Sequence, residues 1–192
     1  MKDWRKDILT IPNLLSILRL LMIPVYMIIY LRADSPADYA IAAAILAVSC
    51  LTDMIDGKIA RRFNMSTVLG QLLDPVADKA TQFCMLLCLA IEYPVLWSLS
   101  LLFVIKESFQ LIAMWIAYRH GKILRGALVS GKISTTVLFL SLITMVLLHN
   151  VISTPTVWII TCIDGVFMLI AFVHYVITYW KKTPMIQDIN EA

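Results

Sequence analysis

Four aspartates, Asp53, Asp56, Asp74 and Asp78, fall within the stretch DMIDGKIARRFNMSTVLGQLLDPVAD, which covers residues 53 to 78. Asp53 and Asp56 are three positions apart, and Asp74 and Asp78 are four apart. On helices, each spacing puts both carboxylates on one face. Four carboxylates cannot share a small buried space while all are ionised. Protonation, pairing with bases or bound cations would each resolve the conflict. Clustered hard oxygens suit Mg²⁺, Mn²⁺ or Ca²⁺. Two such ions can share ligands and clamp a phosphoryl transfer. Gly57, Ala60 and Gly70 leave one wall without bulk. That wall suits either close helix packing or a bulky ligand beside the metals. Arg61 stands one turn beyond Gly57, where it could meet a phosphate.

The elements that must position these groups belong in lipid. Of 192 residues, 60% are hydrophobic and 15% are charged, against about 25% charged in a soluble domain. The chain reads as an integral membrane protein of a single domain, residues 1–192. The net charge of +3 is small, so its placement says more than its sum, and no nucleic-acid partner is expected. The opening MKDWRKDILT mixes both signs of charge ahead of a long apolar run, which argues against a cleavable signal peptide. Cys50, Cys84, Cys88 and Cys162 lack metal-site spacing and read as reduced buried thiols.

Apolar runs predict six spans, near residues 14–31, 39–55, 68–91, 95–118, 133–148 and 157–180. Backbone groups in lipid have no water to bond, so these spans are expected as helices, and the fold class as all-α. No internal repeat is visible. Lys2, Arg5 and Lys6, then Lys58, Arg61 and Arg62, then Arg119, Lys122, Arg125 and Lys132, then Lys181 and Lys182 all fall on one side of a six-span layout. The opposite loops hold only Arg32 among lysines and arginines. This bias predicts both termini and the basic loops in the cytoplasm. Residues 1–12 read either as a short interfacial helix or as a frayed charged end.

The pattern Asp53-x2-Asp56-Gly57-x2-Ala60-Arg61-x8-Gly70-x3-Asp74-x3-Asp78 resembles, at every fixed position, the signature of the CDP-alcohol phosphotransferase family. The six-span layout extends the resemblance over most of the chain. The resemblance implies cleavage of a CDP-alcohol, transfer of its phosphatidyl or phosphoalcohol part to a second alcohol, and release of CMP. It also implies a need for Mg²⁺ or Mn²⁺ and a homodimer. By the same resemblance, Asp53, Asp56, Asp74 and Asp78 are ligands of a two-metal site, and Asp78 is also the general base. Gly57, Ala60 and Gly70 line the cytidine pocket, and Arg61 is the motif arginine.

The start IPNLLSILRLLMIP resembles the first helix of phosphatidylglycerophosphate synthases and of cardiolipin synthases of this fold. Asn13 then stands where the CDP diphosphate approaches, or is a plain helix cap. The implied donor is CDP-diacylglycerol, working at the lipid bilayer. The implied acceptor is sn-glycerol 3-phosphate, with phosphatidylglycerol as the alternative. Lys132, in GKISTT, resembles the Gly-Lys stretch of the phosphatidylglycerophosphate synthases. Lys132, Lys106, Arg119 and Arg125 are candidates for the acceptor phosphate. Lys106 stands equally as the partner of a carboxylate, and Arg119 and Arg125 as topology-setting charges near anionic lipid. Where related synthases show Arg-Glu, this chain has Lys106-Glu107, which removes a bidentate donor. The chain is expected to be a multi-pass integral membrane protein, in the cell membrane if its source is bacterial, with its site facing the cytoplasm.

Two charges within spans have no named role. Arg19 is a single cation in an apolar helix and needs a partner. Asp164 invites pairing with another helix. A different class of function, a small cation transporter, would use the aspartates to line an ion path. The lack of repeated halves and the gathering of carboxylates at one membrane face weigh against it.

Overall fold

A computed structural model describes residues 11–63, 68–119, 122–124, 128–180 and 186–188. Six helices run along these residues: α1 Ile11–Leu31, α2 Pro36–Phe63, α3 Val68–Glu92, α4 Leu96–Arg119, α5 Val129–Leu147 and α6 Thr154–Trp180. Among the described residues, four stretches are long and apolar enough to cross a membrane: Asn13–Leu31, Leu96–Ile116, Val129–Leu147 and Thr154–Trp180. The apolar part of α2, Pro36–Thr52, is shorter. The rest of α2 and the start of α3 are spent on the charged motif.

The helix ends follow from local chemistry. Ser35 and Asp38 form a capping box at the start of α2: the Ser35 N–H donates to Asp38 Oδ2 at 2.9 Å, and the Asp38 N–H donates to Ser35 Oγ at 3.4 Å. Pro36 then occupies the first helical position, where its missing N–H costs nothing. The apolar reading places the end of span two near Ile55, but α2 runs on to Phe63. Lys58, Ala60 and Arg61 are good helix formers, and one glycine does not stop the run. Hydroxyls inside the spans turn back on their own helix. Thr81, Ser100, Thr161 and Thr178 donate to the carbonyls of Ala77, Leu96, Val157 and His174 at 2.8, 2.9, 2.8 and 2.8 Å. In lipid that bond satisfies a donor that has no water.

The contacts divide into two compact units. The first holds α1, α2 and α3 with the segment Leu142–Val151. Within it α1 lies along α2, and Tyr26, Met85, Leu86 and Leu89 are fully buried. Tyr39 stacks on His149 at 3.6 Å, and Tyr30 meets the edge of Tyr39 at 5.4 Å. The second unit holds α4, α6 and the part of α5 up to Ser141. There α4 meets α6, with Phe109 edge-on to Phe172 at 5.3 Å. Val157, Thr161, Asp164, Met168, Ala171, Tyr175 and Thr178 form the buried face of α6 at helical spacing.

Beside the helices lies one short two-stranded ribbon. β1, Lys122–Leu124, pairs antiparallel with β2, Ile186–Asp188, with Ile123 opposite Gln187. Three-residue strands are too short to show a period-two pattern in sequence. The four cysteines are free thiols, as their spacing indicated. Cys88 is buried and Cys162 exposed, so the expectation of burial holds for one and not the other.

Two glycines on these helices have opposite surroundings. A Cβ on Gly131 would lie 2.6 Å from Tyr175 Oη and 2.9 Å from Cε2, whereas a Cβ on Gly165 would meet nothing within 4 Å. Gly131→Ala is therefore expected to destabilise the protein by about 1–3 kcal/mol through overpacking. Gly165→Ala is expected to be neutral or stabilising by up to about 1 kcal/mol, from helix propensity alone. Thermal unfolding of the two variants in the same detergent checks the contrast.

Candidate functional site

The described part of the carboxylate site is built by α1 and α3. α1 keeps its polar groups on one face, turned inward. Its inward face carries Asn13, Ser16 and Arg19, which are 0%, 0% and 2% exposed, while Leu14, Leu18 and Leu21 face outward. The three-residue step keeps these polar groups on one face. Opposite them stand the two carboxylates of α3. Ser16 Oγ donates to Asp74 Oδ1. Arg19 Nη1 donates to Asp78 Oδ1 at 2.7 Å. The two contacts form successive rungs between the same two helices.

The ion pair is asymmetric. The Arg19 side chain is 3% exposed and that of Asp78 is 47% exposed. The cation is locked inside and the anion opens outward. Arg19, which the sequence left without a partner, therefore has one in Asp78. Pro75 sits between the two aspartates within α3. It has no N–H to give the Gln71 carbonyl, so the helix is loosened at the turn that carries them. Directly below, a mostly apolar cavity is lined by Met22, Tyr26, Leu46, Ser49, Thr81 and Cys84.

Asp53, Asp56, Gly57, Ala60 and Arg61 fall on α2, and Gly70 falls on α3. Their side chains lie outside the described residues, as does Arg125. Among the described residues no group of three or more metal-ligating side chains gathers. Asp74 and Asp78 together supply hard oxygen donors on one helix face, which fits a divalent cation.

The second unit holds the other candidates. Lys106 is 3% exposed and donates to Glu107 Oε1 at 2.7 Å. Its adjacent carboxylate answers the need of a buried ammonium for a counter-charge. Arg119 is the last residue of α4, and its guanidinium lies 4.0 Å from the centre of the Trp115 ring. That position suits a cation twice, by the ring face and by the helix carboxyl end. Lys132 is exposed in the first turn of α5, where its N–H donates to the Leu128 carbonyl at 3.1 Å. Nearby, Ser130 Oγ shares a hydrogen bond with His174 Nδ1 at 2.8 Å.

Asp164 is accounted for without chemistry. It is 2% exposed, and Ser141 on α5 donates to its Oδ1 at 3.0 Å. This is the inter-helix pairing that its depth suggested. Its second oxygen, Oδ2, has no hydrogen-bond partner among the described residues. Sequence reasoning did not single out Ser16 or Ser141. For Ser16 a signal existed, the three-residue step Asn13, Ser16, Arg19. For Ser141 none did, because a lone serine in a span is ordinary.

A family profile described as CDP-alcohol phosphatidyltransferase matches residues 9–180. The chain belongs to this family. Its members generally use a divalent metal. Among its relatives is the CDP-diacylglycerol--glycerol-3-phosphate 3-phosphatidyltransferase of Shigella flexneri serotype 5b, 30% identical over 95% of this chain and 94% of that protein. The cardiolipin synthase (CMP-forming) of Streptomyces coelicolor is 39% identical over 59% of this chain, a match that spans 54% of that protein. The probable phosphatidylglycerophosphate synthase of Mycobacterium tuberculosis (strain H37Rv) is 33% identical over 69% of this chain and 64% of that protein.

The two aspartate environments, half-buried Asp74 and buried Asp164, predict different tolerance. Asp74→Asn is expected to reduce phosphatidyl transfer on the order of 10³-fold, because it removes one charge of the carboxylate pair expected to hold a divalent cation. Asp164→Asn keeps the acceptor oxygen for Ser141 and is expected to leave turnover within about threefold of the parent. Initial rates of CMP release by the two purified variants test this.

Proposed function

We propose that the chain joins CDP-diacylglycerol to sn-glycerol 3-phosphate, giving phosphatidylglycerophosphate and CMP. The observation that carries this reading is the match to the Shigella glycerol-3-phosphate enzyme, which spans nearly the full length of both chains. The basic side chains of the second unit support it, since glycerol 3-phosphate brings a phosphate monoester that needs cations. In this reading the whole chain acts as one catalytic domain of six spans. Both termini and the carboxylates face the cytoplasm of the cell membrane, and the protein is a homodimer.

Asp53, Asp56, Asp74 and Asp78 would hold two Mg²⁺ or Mn²⁺ ions. The chemistry these supply is neutralisation of the diphosphate and of the departing phosphate charge. Gly57, Ala60 and Gly70 make room for the cytidine, and Arg61 and Asn13 meet the diphosphate. Lys132 anchors the acceptor phosphate, with Lys106, Arg119 and Arg125 contributing positive charge. Asp78 takes the proton of the acceptor hydroxyl, whose oxygen bonds the phosphatidyl phosphorus. The phosphoanhydride bond to CMP breaks, and CMP leaves with that electron pair. The half-open side of Asp78 suits this role, because a base must be reachable from the substrate.

The second reading is a cardiolipin synthase taking phosphatidylglycerol, favoured by the 39% identity to the Streptomyces protein. One assay separates the two. Purified protein with CDP-diacylglycerol and Mg²⁺ is expected to release CMP with glycerol 3-phosphate and not with phosphatidylglycerol. The reverse result makes it a cardiolipin synthase, and release with neither alcohol overturns the transferase reading. Chelation is expected to abolish the activity and added Mg²⁺ or Mn²⁺ to restore it.

Lys132→Ala is expected to raise the KM for glycerol 3-phosphate by about 10- to 100-fold, the worth of one charge-assisted phosphate contact. Its KM for CDP-diacylglycerol is expected to stay unchanged. An equal rise in both KM values would remove Lys132 from the acceptor site.

A further inference from the structure

We infer that Arg19 is a positioning residue for Asp78: it holds that carboxyl aimed before a divalent cation arrives and then competes with the cation for it. The inference rests on the reading of Asp78 as a metal ligand and base. Four observations carry it. Arg19 is 3% exposed in its side chain, so its guanidinium cannot turn to water for a counter-charge. It instead donates to Asp78 Oδ1 at 2.7 Å. The parallel contact of Ser16 with Asp74 fixes the rotation of α1 against α3, which leaves the guanidinium little freedom to move off. Asp78 itself is 47% exposed, so its carboxyl stays reachable for a cation from the open side.

A guanidinium on a carboxylate does two opposing things. It fixes the orientation of the carboxyl, because a planar donor at hydrogen-bond distance constrains both torsions of a short side chain. It also places a positive charge beside any cation that binds the same carboxylate, and like charges at that range repel. A carboxylate has about four acceptor positions, so both can be held together. The price of a well-aimed carboxyl is a weaker hold on the metal. A merely structural pair has no such opposed signature.

The test uses the full-length protein in detergent with three readouts: direct Mn²⁺ binding followed by electron paramagnetic resonance, thermal unfolding, and CMP release. Arg19→Gln is expected to bind Mn²⁺ about three- to tenfold more tightly while its turnover falls by about 10- to 100-fold, the range for groups that orient metal ligands. Arg19→Lys keeps the charge with a less directed donor. It is expected to hold Mn²⁺ affinity within about twofold of the parent and to recover part of the lost turnover. Parent-like Mn²⁺ affinity and turnover in folded Arg19→Gln overturn the inference. Weakened Mn²⁺ binding together with lost turnover overturns it too, and marks Arg19 as structural only. If Arg19→Gln does not fold, Arg19→Lys decides: reduced turnover at unchanged unfolding temperature supports the inference, and parent-like turnover overturns it. The Mn²⁺ measurement needs no substrate, so it stands even if the protein transfers no phosphatidyl group, and that failure is read separately from the parent protein.

Discussion

A guanidinium inside a membrane helix must meet an anion, because hydrocarbon gives it no water. Arg19 meets Asp78, and the described geometry of the carboxylate site follows from that contact. Once Arg19 turns inward, the same face of α1 carries Asn13 and Ser16 inward with it, since all three lie within two turns at one helical spacing. The opposite face, with Leu14, Leu18 and Leu21, is left for lipid. A single buried charge therefore orients a whole span and sets its rotation against α3. The polarity of that helix is inverted relative to a soluble one, apolar outside and polar inside.

The same constraint explains the asymmetry of the pair. A fully buried carboxylate would satisfy Arg19 but would be closed to a ligand. A fully exposed one would leave the arginine poorly neutralised. Asp78 stands half-open on α3, next to a turn that Pro75 relieves of one backbone hydrogen bond. It serves the interior through one oxygen and remains reachable from outside. In the proposed reading, structural demand and chemical demand thus fall on the same residue.

Other polar groups in the spans obey the same rule. Asp164 finds Ser141, Lys106 finds Glu107, and the span threonines find their own helix carbonyls. What separates them from Asp74 and Asp78 is arrangement: two carboxylates one helical turn apart, facing donors on a second helix. Depth alone marks a group that needs a partner; only convergence marks a site.

The sequence by itself determined the membrane class, the helices and the reaction chemistry. Length of apolar run dictates helices in lipid, and the spacing of Asp53, Asp56, Asp74 and Asp78 survives in any helical chain. Helix ends were legible less well, as the extension of α2 to Phe63 illustrates, because a charged but helix-forming stretch carries no stop signal. The ribbon of Lys122–Leu124 with Ile186–Asp188 was invisible, since its pairing joins residues more than sixty positions apart. The partner of Arg19 was equally out of reach. Any of several carboxylates could have neutralised it, and the sequence does not order distances between helices. Only the tertiary structure chose Asp78, because which turn of α3 meets the polar face of α1 is a matter of how the helices are placed in space.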